Sequence, residues 1–423
     1  MSMNARLWEY SVEVTSAILG VDGLYRRALR HREGTVAEVP LKGASPSVGG
    51  KDDSLASEGL VAINLSQVKP VAYEDWSEAD RHWGDLRSAA GALVDKVRCA
   101  YYEDLATSIL EFIAWQQSGG HHLEGKAFAR LGSRLLGLER LPFAESEWEA
   151  VRTELRVRLH EAGYDGPLAK ALRSWETERH VPREDVVATL NRLLADARER
   201  VEERLFRIPT RRTIHPVAVH GVPYSAYCDY EGCRMYVNLD QPYTLPALRH
   251  LVAHEAYPGH LTHIAVREAA VASREAGEDA LLVVTDTPTS PIFEGIGDNG
   301  LSFCWDIDND DKLASAISRV RAMATCHAAL RLAASQPAHL ARVHLQDESA
   351  ADPSWVEQRL SFLSYRLRRP FIFAYAWGER IVGRAYHNVP AQRRRSFFDL
   401  LYREQHSPRS LKLLEEVLSR DAL

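Results

Sequence analysis

Cysteine is scarce in this sequence: Cys99, Cys228, Cys233, Cys304 and Cys326 are the only five in 423 residues. That is too few, and odd in number, for a disulfide scaffold, and it points to a reducing, cytoplasmic setting. Cys228 and Cys233 bracket Asp229–Gly232 but have no second closely spaced pair. They read as free thiols beside a turn, not as a zinc knuckle. Positive charge is not in excess either. Lys and Arg total 52 against 58 Asp and Glu, a formal charge of −6, which argues against a nucleic-acid partner. No run approaches the roughly 20 apolar residues that span a bilayer. The first residues, MSMNARLWEYSVEVTSAILG, are amphipathic and lack the clean apolar stretch of a secretory signal. There is no internal repeat and no low-complexity segment. What remains is an ordinary globular composition, 45% hydrophobic and 26% charged.

Helical periodicity dominates this composition. Residues 4–31 alternate apolar and charged groups at the helical period and stop near Gly34. Residues 36–60, rich in Gly and Pro, read as a loop. From Trp76 to Leu205 the pattern predicts five or six amphipathic helices. Their breaks fall at Gly119-Gly120, near Pro142, at Gly163–Pro167 and at Val181-Pro182. Between Ile214 and Leu239 the texture turns β-prone, and Tyr230-Glu231-Gly232 predicts a hairpin turn between Val222–Cys228 and Arg234–Leu239. Beyond Thr244 the chain reads as helix almost throughout. The expected fold is mostly α, a multi-helix assembly with one small β-hairpin or sheet beside the chemistry. It divides into an N-terminal helical region, 1–205, and a metal-binding catalytic region, 206–423, within one continuous fold.

The chemistry concentrates in residues 248–263, LRHLVAHEAYPGHLTH. Neutral imidazoles and a carboxylate are the donors zinc prefers. In the common HExxH arrangement the two His stand at i and i+4 on one helix face, with the Glu as general base. Here the fourth residue after His254 is Pro258, and the next His is His260. In a regular helix that spacing leaves the two side chains about 120° apart. Pro258-Gly259 is the pair to bend or bulge a helix and swing His260 back. Three alternatives stand beside a His254–His260 pair. The His-Glu pair is a solvated face, a His is a hydrogen-bonded structural residue, or His250 and His254 pair at i, i+4. A third ligand is available downstream in SPIFEGIGDNGLSFCW. If that segment is helical, Glu294 and Asp298 share a face, so Glu294 reaches the metal while Asp298 takes the ring N–H of a ligating His. A solvated acidic helix start is the bland alternative.

Arg234-Met-Tyr-Val-Asn-Leu-Asp240, then an amphipathic run, then His254-Glu-Ala-Tyr-Pro-Gly-His260 resembles a large bacterial family labelled only "domain of unknown function". Its hallmark is His-Glu-Ala-x-Pro-Gly-His-His, and its members are similar to zinc peptidases of the gluzincin type. Phe293-Glu294-Gly295 and Tyr375-Ala-Trp-Gly378 match two further blocks of that family. The resemblance covers roughly residues 205–415. It implies a helical zinc-peptidase-like fold, with His254, His260 and Glu294 as ligands and Glu255 as base. This chain departs from the family at Leu261, where the second His of the pair belongs, at Ile296 in place of an aromatic, and at Leu301 in place of an acid. Its N-terminal half is also shorter than the family's. These departures spare the metal core and alter the substrate side.

The run RLRRPFIFAYAWGERIVGRAYHN offers Tyr375, Arg380, Arg384 and Tyr386 to a developing oxyanion or a substrate carboxylate. Packing is the competing role for Tyr375, and a surface salt bridge for each Arg. Tyr236 and Asn238, on the strand Met235–Leu239, are placed to hold an extended substrate by edge pairing. The expected activity is hydrolysis of an amide or peptide-like bond by a zinc enzyme, with Glu255 activating the water. The expected partner is a small-molecule or short peptide substrate, with no nucleic acid and no membrane, and a homodimer left open. With Leu261 and the glycine-rich Glu294 block, and with Trp305 and Trp377 near the site segments, the pocket should be narrow and partly closed. A biosynthetic tailoring enzyme using the same metal core, and a non-catalytic helical scaffold, are the rival readings.

Overall fold

The structure is a computed structural model that describes residues 3–33, 59–121, 123–210, 212–222 and 224–420. Almost all of the expected loop at 36–60 lies outside the described residues. The architecture is mostly helical with small sheets of two or three strands, as the periodicity indicates. The chain runs α1 (Ala5–Glu33), β1 (Val61–Asn64), α2 (Trp76–Ala90), α3 (Lys96–Gln117), α4 (Gly125–Leu135), α5 (Glu145–Glu161), α6 (Leu168–Glu178), β2 (His180–Val181) and α7 (Val186–Arg204). The sheet region follows, with β3 (His215–Val219), β4 (Ala226–Asp229), β5 (Arg234–Asn238) and β6 (Tyr243–Thr244). Then come α8 (Leu245–Glu255), α9 (His260–Ala272), β7 (Leu282–Val284), α10 (Thr289–Cys304), α11 (Asn309–Ala333), α12 (Ala338–Ser349), α13 (Pro353–Ser364), α14 (Arg368–Phe371), α15 (Phe373–Asn388), α16 (Arg394–Arg403) and α17 (Pro408–Arg420).

Local chemistry explains many of the boundaries. Asp75 caps α2 by accepting from the backbone N–H of Ser77 and Glu78, and Asp95 does the same for α3 at Val97 and Arg98. Asp308 and Asp311 form a reciprocal capping box at the start of α11. The break before α7 holds Pro182 and a single 3-10 turn, Arg183–Asp185, before the helix proper.

The expected hairpin exists, with β4 antiparallel to β5 and Ala226 opposite Val237. Beyond the hairpin, a further strand, β3, lies parallel on the other side of β5, so the strand order is β3-β5-β4. Two two-stranded pairings, β1 with β7 and β2 with β6, complete the β structure among the described residues. Apolar side chains from both sides of residue 205 share cores. One core joins α4–α6 to α11–α15, and another joins α1–α3 to β7. Two more lie under α7–α9 with the three-stranded sheet, and under α10 with α15–α17. Helices α8, α9 and α10 meet between these last two cores and carry the candidate site. No helix among the described residues is long and apolar enough to cross a membrane.

Candidate metal centre

Helix α8 starts where Thr244 accepts from the Ala247 N–H and Pro246 occupies its first turn. It carries His250, His254 and Glu255 to its C-terminal end. The sequence predicts one kinked helix through His254 and His260, but the structure has two helices. α8 ends at Glu255, the chain turns through Ala256–Gly259 with a cis Tyr257–Pro258 bond, and α9 begins at His260. The turn is closed by the Gly259 N–H donating to the Ala253 carbonyl at 2.9 Å. A Cβ on Gly259 would lie 1.8 Å from the His254 carbonyl oxygen, so no other residue fits this crossing. The break juxtaposes the two side chains. It brings the His254 and His260 rings to 4.6 Å, nearly perpendicular at 80°.

Glu294 comes to them from α10. Its Oε2 lies 3.3 Å from His254 Nε2 and 3.8 Å from His260 Nε2. The three donor atoms all fall within 4.8 Å of one another, and all three residues are buried. Ligands at the usual zinc distances in a tetrahedron stand roughly 3.4 Å apart. Glu294 Oε2 has no hydrogen-bond partner among the described residues. An orphaned buried carboxylate oxygen facing two imidazole nitrogens is what a cation site leaves behind. The donor set therefore fits a metal ion.

One turn after Glu294, Asp298 Oδ1 sits 3.0 Å from His254 Nδ1 and 3.4 Å from His250 Nε2. With Nδ1–H donating to Asp298, Nε2, the atom nearest Glu294, is the one that would release its proton to bind a metal ion. Gly297 makes this contact feasible, because a Cβ there would lie 2.7 Å from His254 Nδ1. His250, His254 and Asp298 form a second, more open group that could also hold an ion.

Burial opposes charge on His254, but Asp298, Glu294 and Glu255 overcome it and hold its imidazole well above the usual range. Burial, together with the charge of His254, holds His260 well below that range, so it is a neutral donor. Burial pushes the Glu255 carboxyl up to about 7, against His254 and with Glu294 and Asp298. For Asp298 burial is outweighed by His254 and His250, which keep the carboxylate well below its ordinary range. Removing Asp298 should therefore loosen the site without unfolding the protein. We expect Asp298→Ala to weaken zinc affinity by about 10- to 100-fold, measured by competition with a chromogenic chelator. Unchanged affinity would show that Asp298 does not orient a ligand.

His254, Glu255, His260 and Glu294 line a cavity of about 190 Å³. Tyr375 lines it as well, its ring stacked 6.4 Å from that of His254. Burial and Glu294 hold the Tyr375 phenol well above its ordinary range, so it stays a protonated donor. The other sequence candidates do not reach this cavity. Arg380 pairs with Glu147 at 2.9 Å and lies over Phe143 and Trp377. Arg384 is exposed, nine residues and so about 180° around α15 from Tyr375. Tyr386 packs among Phe303, Phe398 and Arg394. Asn238 is buried and donates to the Val222 and Tyr224 carbonyls, a structural role. Tyr236 stacks on Tyr227 outside the cavity.

The substrate strand changes too. β5 is the central strand, paired on both sides, so Met235–Leu239 offers no free edge. Its neighbour β4 is an edge strand, and Ala226, Tyr227 and Cys228 of β4 line the cavity. Trp305 and Trp377 are not walls. Trp305 packs in the core beneath Arg200, and Trp377 stacks on Phe143 at 4.6 Å. Phe293 and Phe371 narrow the cavity instead. Leu261 is fully buried in the core and does not line the cavity.

Two cationic cavity residues were not singled out from sequence, Arg368 on α14 and Arg267 on α9. The signal for Arg267 was present. His260, Ile264 and Arg267 recur at i, i+4 and i+7, one helix face, and all three line the cavity.

No family model matches the chain, and no curated protein matches it. Among solved structures it is similar to a protein from Shewanella oneidensis described as a candidate lipoprotein of unknown function. The match covers 80% of this chain and 71% of that one, with a TM-score of 0.50 and 13% identity. At that identity the likeness concerns the fold alone.

Proposed function

We propose that this chain is a gluzincin-like zinc-dependent hydrolase that cleaves an amide or peptide-like bond in a small amino-acid-like or short peptide substrate. The observation that carries the reading is the position of Glu255. It follows a ligating His, closes α8, and opens on the same cavity as the His254–His260–Glu294 cluster. Two imidazoles and one carboxylate are a common donor set of catalytic zinc. When bound, zinc supplies Lewis-acid polarisation of a carbonyl and activation of water near neutral pH.

The remaining steps belong to the chain's own groups. The Glu255 carboxylate takes a proton from the attacking water and delivers it to the leaving nitrogen as the C–N bond breaks. The water's hydroxyl ends on the acyl carbon. The Tyr375 hydroxyl donates to the carbonyl oxygen as negative charge builds there. The free edge of β4 aligns an extended substrate by main-chain pairing. His254 stays oriented through Asp298. All five cysteines are free, which suits activity in a reducing, cytoplasmic compartment.

A cavity of about 190 Å³ is small for a peptide groove; drug-sized ligand sites run to about 300–1,000 Å³. The expected substrates are therefore dipeptides and N-acyl amino acids. Casein and unstructured peptides of about ten residues should be cleaved poorly, at least tenfold below the best dipeptide in kcat/KM. Efficient internal cleavage of the longer peptides would overturn the closed pocket. The same small volume favours, as a second reading, a tailoring enzyme acting on one metabolite. Stoichiometric zinc with no turnover on any peptide or N-acyl substrate would select it. Stoichiometric iron in place of zinc would overturn both, because the same donor trio also serves non-haem iron.

A further inference from the structure

We propose that Arg267 is the anchor for a substrate carboxylate, so that the cavity selects molecules carrying a free carboxyl group a short distance from the bond that is cut. Which bond is cut rests on the hydrolase reading, whereas the anion site rests on its own observations.

The first is placement. His260, Ile264 and Arg267 occupy one face of α9, and all three line the cavity. Seven residues of helix separate the Cα atoms of His260 and Arg267 by about 10 Å along the axis. The guanidinium carbon lies 5.6 Å from the Phe293 ring, which in turn lies 4.0 Å from the His260 ring, so the cation and the cluster share one wall of the cavity. Chain length per residue is about 3.8 Å. That spacing suits a carboxylate one or two residues from a carbonyl held at the cluster.

The second is isolation. Arg267 is 1% exposed, yet no carboxylate and no hydrogen-bond acceptor pairs with it among the described residues. Its Nε has no hydrogen-bond partner. The nearby acids are engaged elsewhere. Asp279 pairs with Arg98 at 3.3 Å and accepts from the Tyr102 hydroxyl at 2.8 Å. Glu268 accepts from the Tyr230 hydroxyl at 2.6 Å. A buried cation without a counter-ion is costly, and structures normally pair it. Here the residue lines a cavity. Arg98, equally buried, shows the contrast, because it has its acid and a phenol.

The third is the wall between the two sites. Phe293 stacks on the His260 ring at 4.0 Å and 3°, and its face lies 5.6 Å from the Arg267 guanidinium carbon. The ring lies against both groups. A planar fork set on an aromatic face recognises a carboxylate through two parallel N–H bonds, which an ammonium could not do. Arg368 lines the same cavity and adds positive field.

The test is calorimetric and does not depend on turnover. N-acetylglycine and N-acetyl-L-alanine, their carboxamides, and inorganic phosphate are titrated into the purified protein, with and without added zinc. Wild type should bind each carboxylate at least tenfold tighter than its carboxamide. Arg267→Met should remain folded by circular dichroism and lose about 30-fold or more in carboxylate affinity, with no change for the carboxamides. Arg267→Lys should fall between the two. Equal binding of acid and amide by wild type, or undiminished carboxylate binding by Arg267→Met, would overturn the proposal. So would Arg267-dependent binding of phosphate with no binding of the carboxylates. Carboxylate selectivity without any hydrolysis would remove the hydrolase reading and leave this site standing. Hydrolysis with equal binding of acid and amide would do the reverse.

Discussion

Replacing His260 with alanine is expected to abolish stoichiometric zinc, while His250→Ala retains it. The two variants separate the two groups that share His254. In one, His254 Nε2 acts with His260 and Glu294; in the other, His254 Nδ1 acts with His250 and Asp298. The first is buried throughout and explains why Glu294 Oε2 lacks a hydrogen bond. The second leaves that oxygen orphaned and takes Asp298 away from its contact with His254 Nδ1 at 3.0 Å. Loss of a direct ligand should exceed the roughly 10- to 100-fold effect of an orienting residue such as Asp298. Elemental analysis after exhaustive dialysis reads the outcome, with circular dichroism to show that both variants fold. Zinc kept by His260→Ala and lost by His250→Ala would transfer the site to the other group.

The parts of this site legible in the sequence are those set by local geometry. The breaks at Gly119-Gly120, Pro142 and Pro182 were readable because Gly and Pro act on their own backbone. The Glu294–Asp298 pair was readable because i and i+4 share a face once the segment is helical. Pro258-Gly259 signalled that something other than a regular helix joins the two His. It did not say whether the helix bends or stops, since that is decided by Gly259 packing onto the Ala253 and His254 carbonyls. Short strands with remote partners left no trace, as with Val61 opposite Val284.

Of the candidates on α15, Tyr375 lines the cavity, and the other three lie elsewhere for a related reason. Tyr375, Arg380, Arg384 and Tyr386 share one helix, but at about 100° per residue Arg380 and Arg384 turn well away from Tyr375. Tyr386 returns to the same azimuth roughly 16 Å further along the axis, out of reach. The same arithmetic applied forward from His260 would have found Arg267.

Glu255→Gln is expected to keep zinc and lose turnover by about 100-fold or more, the usual scale of general acid–base catalysis. Glutamine is nearly isosteric, so the end of α8 and the packing around it should stand. What it lacks is a carboxylate able to accept a proton. Glu255 makes no ion pair among the described residues, although it is half-buried and borders the cavity. A structural acid would have a partner whose loss destabilises the fold; a proton carrier is held ready in the cavity. The variant should therefore melt within a few degrees of wild type and bind the N-acetylamino acids with unchanged affinity. Its defect should appear in kcat and equally in kcat/KM, the pattern of an interaction made only in the transition state. Near-normal turnover would assign Glu255 to structure and end the hydrolytic mechanism. A fall in zinc content matching the fall in rate would instead make Glu255 part of the metal's own shell.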